Sequence, residues 1–557
     1  MRDIEADVSE ILETVKQTPS EELESDVLEF KGYRDEKAIH NAKDLAEEIS
    51  ALANHKGGLI VIGVKDTTDV AYGRWAEQLA GLPSVDLHTL RERVAGRIRP
   101  AVDLDVREVW FEDRRFIAMS VPRRTDTLVA TSSGKTCIRD GRSSRPMAPD
   151  EIATAVKSLT AFDWSADPIP EADPLQLLDR ADLADAIRDF GERRKMDTLP
   201  SEQAYLEAVG ATRNGVLLKG GLVFLGTSAA IRSHLGDYEF RFSWKLANGE
   251  LKINEVWEGN LWTAIRNARR CFDEANVYQG FEDEGRNFSV PLLDPVAFHE
   301  AYLNALVHRD YSHDGMVSVT YTGERLVVAS PGTFYGGITV ENIGRHEPRH
   351  RNKALARILM THSLVDRAGM GVVRMSIRSL MYGRAFPEFS ESVDSVEVSM
   401  EARFLRGPIT ILAHDNPEWG VSHLLLLNHV YESGYAPVGT LEGQLGRIEA
   451  DPWGAIESAV RDLPQVELCG TREGVFVRVH ALWRSWLKVD RVFRASPVSE
   501  KHVKLYRYLK RHGRVSNADL KELLGHKHSS QTSRFLRDAS YVQRRGSGRS
   551  ARWSLVS

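Results

Sequence analysis

Apolar and polar positions divide this chain into stretches of different period. Val27-Leu28-Glu29-Phe30-Lys31 alternates every second residue, the pattern of a strand that hides one face. Lys43 to Ala53 places its apolar residues at helical spacing. Leu59 to Val64 is an unbroken, largely β-branched run, which predicts a buried central strand. Leu90 to Ile98 predicts an amphipathic helix, and Val106–Trp110 with Phe116–Val121 predicts a hairpin. The stretch from Ser165 to Pro174 is rich in proline and acid and reads as a linker. Five segments follow: an acidic lead-in (1–23), a first α/β region (24–160), a second (175–405) and two small helical modules (420–488 and 498–557). The expected class is a multidomain α+β protein.

Composition narrows the picture modestly. A chain of 557 residues is too long for one core. With 42% hydrophobic and 27% charged residues it reads as an ordinary soluble protein. Cys137, Cys271 and Cys469 show no paired spacing, so neither a disulfide framework nor a zinc site is expected. The acidic amino terminus has no signal-peptide core, and no apolar run is long enough to span a membrane. A cytoplasmic location without a membrane partner is the expectation. Charge is uneven: residues 501–557 carry 14 Lys and Arg against 3 Asp and Glu, on a chain whose net charge is −6. A basic tail on an acidic body is the footprint of a segment that meets nucleic-acid phosphates.

The chemistry concentrates in two places. Glu24 precedes the first strand, Glu29 lies on it, and Asp66 follows the run Leu59–Val64. Alternation puts Glu29 and Lys31 on one face, expected to be outward-facing. If the three carboxylates converge they hold Mg²⁺ or Mn²⁺ and activate water against a phosphodiester, with Lys31 steadying the phosphate. If they do not, the chain is a nucleic-acid-binding regulator. Ser132-Ser133-Gly134-Lys135-Thr136 imitates a phosphate-binding loop, but Val129 replaces the first glycine and a strand pattern follows, so no P-loop is expected.

Glu24-Ser25-x-x-x-Glu29-Phe30-Lys31, Ala51-Leu52-Ala53-Asn54-x-x-Gly57-Gly58, Gly63-Val64-Lys65-Asp66 and Arg139-Asp140-Gly141-Arg142-Ser143-Ser144 occur in that order. Together they resemble the AlbA-like core of the Schlafen family over roughly residues 20–155. The resemblance implies catalytic, metal-binding acids at Glu24, Glu29 and Asp66, and nucleic-acid contacts at Arg139 and Arg142. It also implies a defence or stress-response nuclease, although many bacterial relatives only bind DNA.

The second region starts a helix at Asp294-Pro295, with Glu300, Asn304 and His308 about a turn apart on one face. His308-Arg309-Asp310-Tyr311, Ser330-Pro331-Gly332, Arg351-Asn352 and Gly369-Met370-Gly371 follow. These resemble the RecG-related, GHKL-like ATPase domain, an α/β sandwich. The resemblance implies ATP at Glu300, Asn304, His308, Gly369 and Gly371, with Mg²⁺ on Asn304 and weak hydrolysis at most. Ser330-Pro331-Gly332 departs from the usual Asp-x-Gly, whose acid reads adenine.

The tail reads as three helices (His502–Arg511, Ser516–Leu524, Ser529–Ala539) and a strand–turn–strand. It resembles a winged helix-turn-helix, with Arg534, Arg537, Arg544, Arg545 and Arg549 toward DNA or RNA. Residues 421–487 repeat the order with less charge and suit packing or dimerisation, so a homo-oligomer is expected. The leading expectation is an ATP-gated, metal-dependent nuclease. The alternatives are a non-enzymatic DNA-binding regulator with an ATP-sensing domain, and an ATPase whose other parts only bind.

Overall fold

The computed structural model describes residues 4–33, 38–39, 43–82, 86–157, 159, 162–170, 173–246, 248–366, 369–403, 407–488, 498–545 and 551–556. The chain forms two compact units, residues 1–163 with 335–337, and residues 164–334 with 338–557.

The first unit is built on a four-stranded sheet. Leu28–Lys31 runs parallel to Gly58–Ile62, which pairs antiparallel with Arg114–Val121 and that in turn with Asp105–Phe111. Its parallel pair is joined by a crossover containing the helix Lys43–Ala53, as parallel strands require. Both faces of the sheet are covered. Phe30, Val61, Phe116 and Ala118 meet Val8, Leu12 and Val15 of the helix Ile4–Val15. Ile60, Ile62, Ile117 and Met119 meet Leu45, Ile49 and Leu52. The acidic lead-in is therefore part of the first core, not a preface to it. Because its second face is also roofed, the sheet buries Glu29 to 4% exposure, where alternation alone suggested an outward position.

The second unit contains a six-stranded sheet in the order Leu251–Glu258, Glu239–Lys245, Met316–Tyr321, Arg325–Pro331, Ser395–Glu401, Glu388–Glu391. Glu239–Lys245 and Met316–Tyr321 are parallel; the other pairs are antiparallel. One face carries Phe240, Phe242, Trp244, Val317, Val319, Leu326 and Val328 against the helices Leu261–Ala275, Pro295–His308 and Lys353–Thr361. The stretch read as a linker is docked here. Ser165 is inaccessible and accepts the Leu355 N–H, the Ile169 N–H bonds the Leu217 carbonyl, and Asp167 pairs with Lys219. Proline and acid marked an irregular path, and that path is held by specific partners.

Two helical stretches follow in the same unit. One orders helix Val421–Ser433, strand Tyr435–Pro437, helices Val438–Leu445 and Pro452–Asp462, then strands Val466–Thr471 and Gly474–Val479. The other orders helices Ser499–His512, Asn517–Leu523 and Ser529–Asp538, then strands Val542–Arg545 and Arg552–Leu555. Among the described residues, no helix is long and apolar enough to cross a membrane.

Candidate functional site

In the first unit the motif residues meet as charges that neutralise one another. Lys31 Nζ lies 2.7 Å from Glu29 Oε1 and 3.1 Å from Glu48 Oε1. Arg139 Nη2 lies 2.6 Å from Glu29 Oε2, and Nη1 lies 2.8 Å from Glu48 Oε2. Two acids and two bases thus form a closed square. Glu48 comes from the crossover helix, and its role escaped the sequence reading because it is one acid among several on that helix. Arg139 is fully buried and also donates to the carbonyls of Ser25 and Leu28. This corrects its expected place as a nucleic-acid contact: its guanidinium is a structural counter-ion. Arg142, in the adjoining turn, stays exposed.

The other two acids point to different work. Glu24 accepts the Phe30 N–H at 3.3 Å, and burial, reinforced by the charge of Glu29, pushes its carboxyl up from 4.5 to about 7. Asp66 turns back to cap the short turn Thr67–Asp69, accepting from the Thr68 hydroxyl and N–H. Those bonds, with the charge of Lys31, hold its pKa below the ordinary value. Among the described residues, no three His, Cys, Asp or Glu side chains are grouped to hold a metal ion. The donor set is a poor fit to Mg²⁺ or Mn²⁺, because both oxygens of Glu29 face the chain's own cations and Asp66 is turned to its own loop, although among the described residues Glu29 Oε2 accepts no hydrogen bond.

The P-loop imitation is a turn between the strands Ala130–Thr131 and Cys137–Asp140, with Gly134 at φ +87° and Lys135 paired with Glu47.

In the second unit, Glu300, Asn304 and Gly371 do come together. A Cβ at Gly371 would meet Glu300 Oε2 at 2.9 Å and Asn304 Nδ2 at 3.3 Å. Gly369 sits at φ +67°, where a Cβ would strike Pro348. Arg374, from the helix Gly371–Leu380, binds Glu300 and also reaches Asp366 at 2.9 Å. Glu300 is therefore neutralised by its neighbour. His308, a turn beyond Asn304, stacks its ring on His350 with centroids 5.4 Å apart, and burial pushes its pKa down to about 3.

The remaining motifs of this region perform a structural task that the sequence reading missed. The last carbonyls of the helix Pro295–His308 lack partners within the helix. Ser330 Oγ donates to Ala305 O at 2.7 Å, Tyr311 OH to Leu306 O at 2.8 Å, and Asn352 Nδ2 to Val307 O at 3.0 Å. Arg309 is buried beside the rings of Tyr238 and Tyr311 and donates to the carbonyls of Asp310, His313 and Gly315. Arg351 closes the set on Asp310 at 2.8 Å. Ser330, standing where an acid would read adenine, is thus spent on the helix end.

In the tail, Arg534, Arg537 and Arg544 are exposed. Among the described residues, Arg537 donates to the Ser533 carbonyl of its own helix at 3.3 Å. Much of the basic first helix is neutralised: Arg507 pairs with Glu457, Lys510 with Glu442 and Lys504 with Glu500. The side chain of Arg545, and Arg549 altogether, lie outside the described residues.

Comparison with known proteins follows the same division. Residues 24–148 match the family described as Schlafen, AlbA_2. The chain carries a Schlafen AlbA_2 domain. Residues 314–400 match the family described as "Putative ATP-dependent DNA helicase recG C-terminal", which covers the sheet strands after Arg309 and the helix Gly371–Leu380. No curated protein matches. Among solved structures, the DIP2311 protein of Corynebacterium diphtheriae is 22% identical, covers 83% of this chain and 94% of its own, and has a TM-score of 0.50. The amino-terminal domain of a RecG-related protein from Nitrosomonas europaea is 17% identical over 27% of this chain and 94% of its own, with a TM-score of 0.19. The buried square of Glu29, Lys31, Glu48 and Arg139 lies within the AlbA_2 domain.

Proposed function

We propose that this protein is a nucleic-acid-binding regulator whose RecG-type domain senses ATP, and that its AlbA_2 domain binds without cutting. The observation that carries this reading is the pairing of both Glu29 oxygens with Lys31 and Arg139. A buried acid held by two cations supports the fold, and a metal there would have to displace those cations or share the carboxylate with them. The last carboxyl-terminal stretch, read as a winged helix, supplies the duplex contact through Arg534, Arg537 and Arg544. Its element order and the exposure of these arginines support that assignment. At the second domain, Asn304 and the backbone of Gly371 would hold phosphate groups. ATP there supplies binding energy for a change of state. Glu300, bound to Arg374, supports no hydrolytic step.

The test is a pair of assays on the full chain with labelled duplex DNA and RNA, with and without ATP and Mn²⁺. Binding without cleavage is expected, with a salt dependence that weakens by about 3 in log–log slope in the Arg534→Ala/Arg537→Ala/Arg544→Ala variant. ATP binding, followed by calorimetry, should be lost in Asn304→Ala. Mn²⁺-dependent cleavage that disappears in Glu29→Ala would restore the nuclease reading.

A further inference from the structure

The residues that follow the two parallel strands of the AlbA_2 domain open onto a groove of about 870 Å³. Its floor contains Gly32, Gly63 and Gly81, and so presents backbone without side chains. One wall carries Trp110, which is 64% exposed although it sits on a sheet strand. An indole exposed at the rim of a cavity of ligand size offers its face to an occupant for stacking. Trp110 stands opposite Arg115 on the neighbouring strand, and Arg115 leans on Glu108 at 3.3 Å, which braces that wall. Lys65 and Arg114 also line the groove, and Lys65 has no ion-pair partner among the described residues. Asp69 and Asp113 line it too, so the charge is close to balanced.

That combination selects its occupant. A duplex offers its phosphates first and would meet the two acids, and its paired bases cannot reach the ring. An unpaired base has a free π face for the indole, and one or two phosphates suffice for Lys65 and Arg114. We propose that this groove holds a segment of single-stranded nucleic acid, with a base stacked on Trp110 and the adjoining phosphate on Lys65. The inference rests on the nucleic-acid-binding reading above and adds a strand preference to it. It assigns single strands to the AlbA_2 domain and duplex to the carboxyl-terminal arginines.

The experiment titrates the full chain with short fluorescein-labelled oligothymidine and oligouridine, and separately with a duplex, following anisotropy. Trp110→Ala should weaken single-strand binding about tenfold, the loss of one stacked base. Trp110→Phe should retain most of the affinity, because a ring remains. Lys65→Ala should reduce the single-strand salt slope by about 0.7. Duplex binding should be unchanged in all three. Trp110 is exposed, so its removal leaves the core intact, and circular dichroism checks this. Single-strand affinity unchanged in Trp110→Ala overturns the groove, as does a wild-type chain that binds duplex alone. Duplex binding insensitive to the three-arginine variant overturns the assignment of the tail instead, and leaves the groove standing.

Discussion

Arg139 and Arg537 both stand out in the sequence as candidate contacts for phosphate, and the fold puts them to opposite uses. Arg139 lies in a motif, at the heart of the AlbA_2 domain, with no accessible side-chain surface and a carboxylate at each terminal nitrogen. Arg537 lies in no motif, on an exposed helix face, and among the described residues it bonds a carbonyl of its own helix. A charge fixed by motif spacing is one whose partners are fixed too, and here those partners are Glu29 and Glu48. Charge left outside such spacing is available to a ligand. The same contrast separates Lys510, tied to Glu442, from Arg534 on the next helix but one.

The sharpest way to break the comparison is to make one substitution on both sides of it. Arg139→Ala leaves Glu29 and Glu48 to share Lys31 alone, one buried negative charge in excess, and should cost about 3–5 kcal/mol, the range for removing one partner of a buried ion pair. Arg537→Ala and Arg142→Ala should each change stability by less than about 0.5 kcal/mol. Urea denaturation monitored by tryptophan fluorescence reads all three. If Arg139→Ala unfolds at the wild-type midpoint, the square does not support the fold and Glu29 is free for other chemistry.

The next effect is smaller and concerns the second domain. Asn352 bonds both the Val307 and Arg309 carbonyls from one amide, at 3.0 and 2.8 Å. Asn352→Ala leaves both buried carbonyls unpaired and should cost about 1–3 kcal/mol. ATP affinity should fall no further than this loss of stability explains. A variant of wild-type stability that no longer binds ATP would show instead that Asn352 touches the nucleotide.

These two cases also mark how far the sequence could be read. Periodicity located the strands Leu28–Lys31 and Gly58–Ile62, the helix Pro295–His308 and the three tail helices within a few residues. Such elements depend on local pattern. Partner identity depends on which segments are brought together across the chain, and no spacing displays that. Glu48 meets Arg139 from 91 positions away, and Asn352 meets Val307 from 45. The expected trio of Glu24, Glu29 and Asp66 was split by the same kind of contact: Lys31 and Arg139 claimed one acid and Thr68 another. Glu300, Asn304 and Gly371 were legible together because two of them share a helix face. The partner of His308, one turn on, was not: the His308 ring stacks on His350 from another segment.

The smallest effect tests the edge of the buried square, where Glu24 stands between inside and outside. Its carboxyl titrates at about 7, against 4.5 in an open chain, because burial and the Glu29 charge both disfavour ionisation. A raised acid binds its proton more tightly in the folded state, so the contribution to stability is full below 4.5 and is lost as pH rises to about 7. Glu24→Gln removes the titration. The wild-type chain should therefore lose about 1 kcal/mol relative to Glu24→Gln across that window, a figure reduced for the solvent that still reaches the group. Thermal midpoints of the two proteins, measured at intervals through that window, should diverge as pH rises and run parallel above it. Parallel curves throughout would mean that Glu24 is hydrated and lies outside the field of Glu29. The boundary between the neutralised interior and the accessible surface would then fall at Glu29 itself.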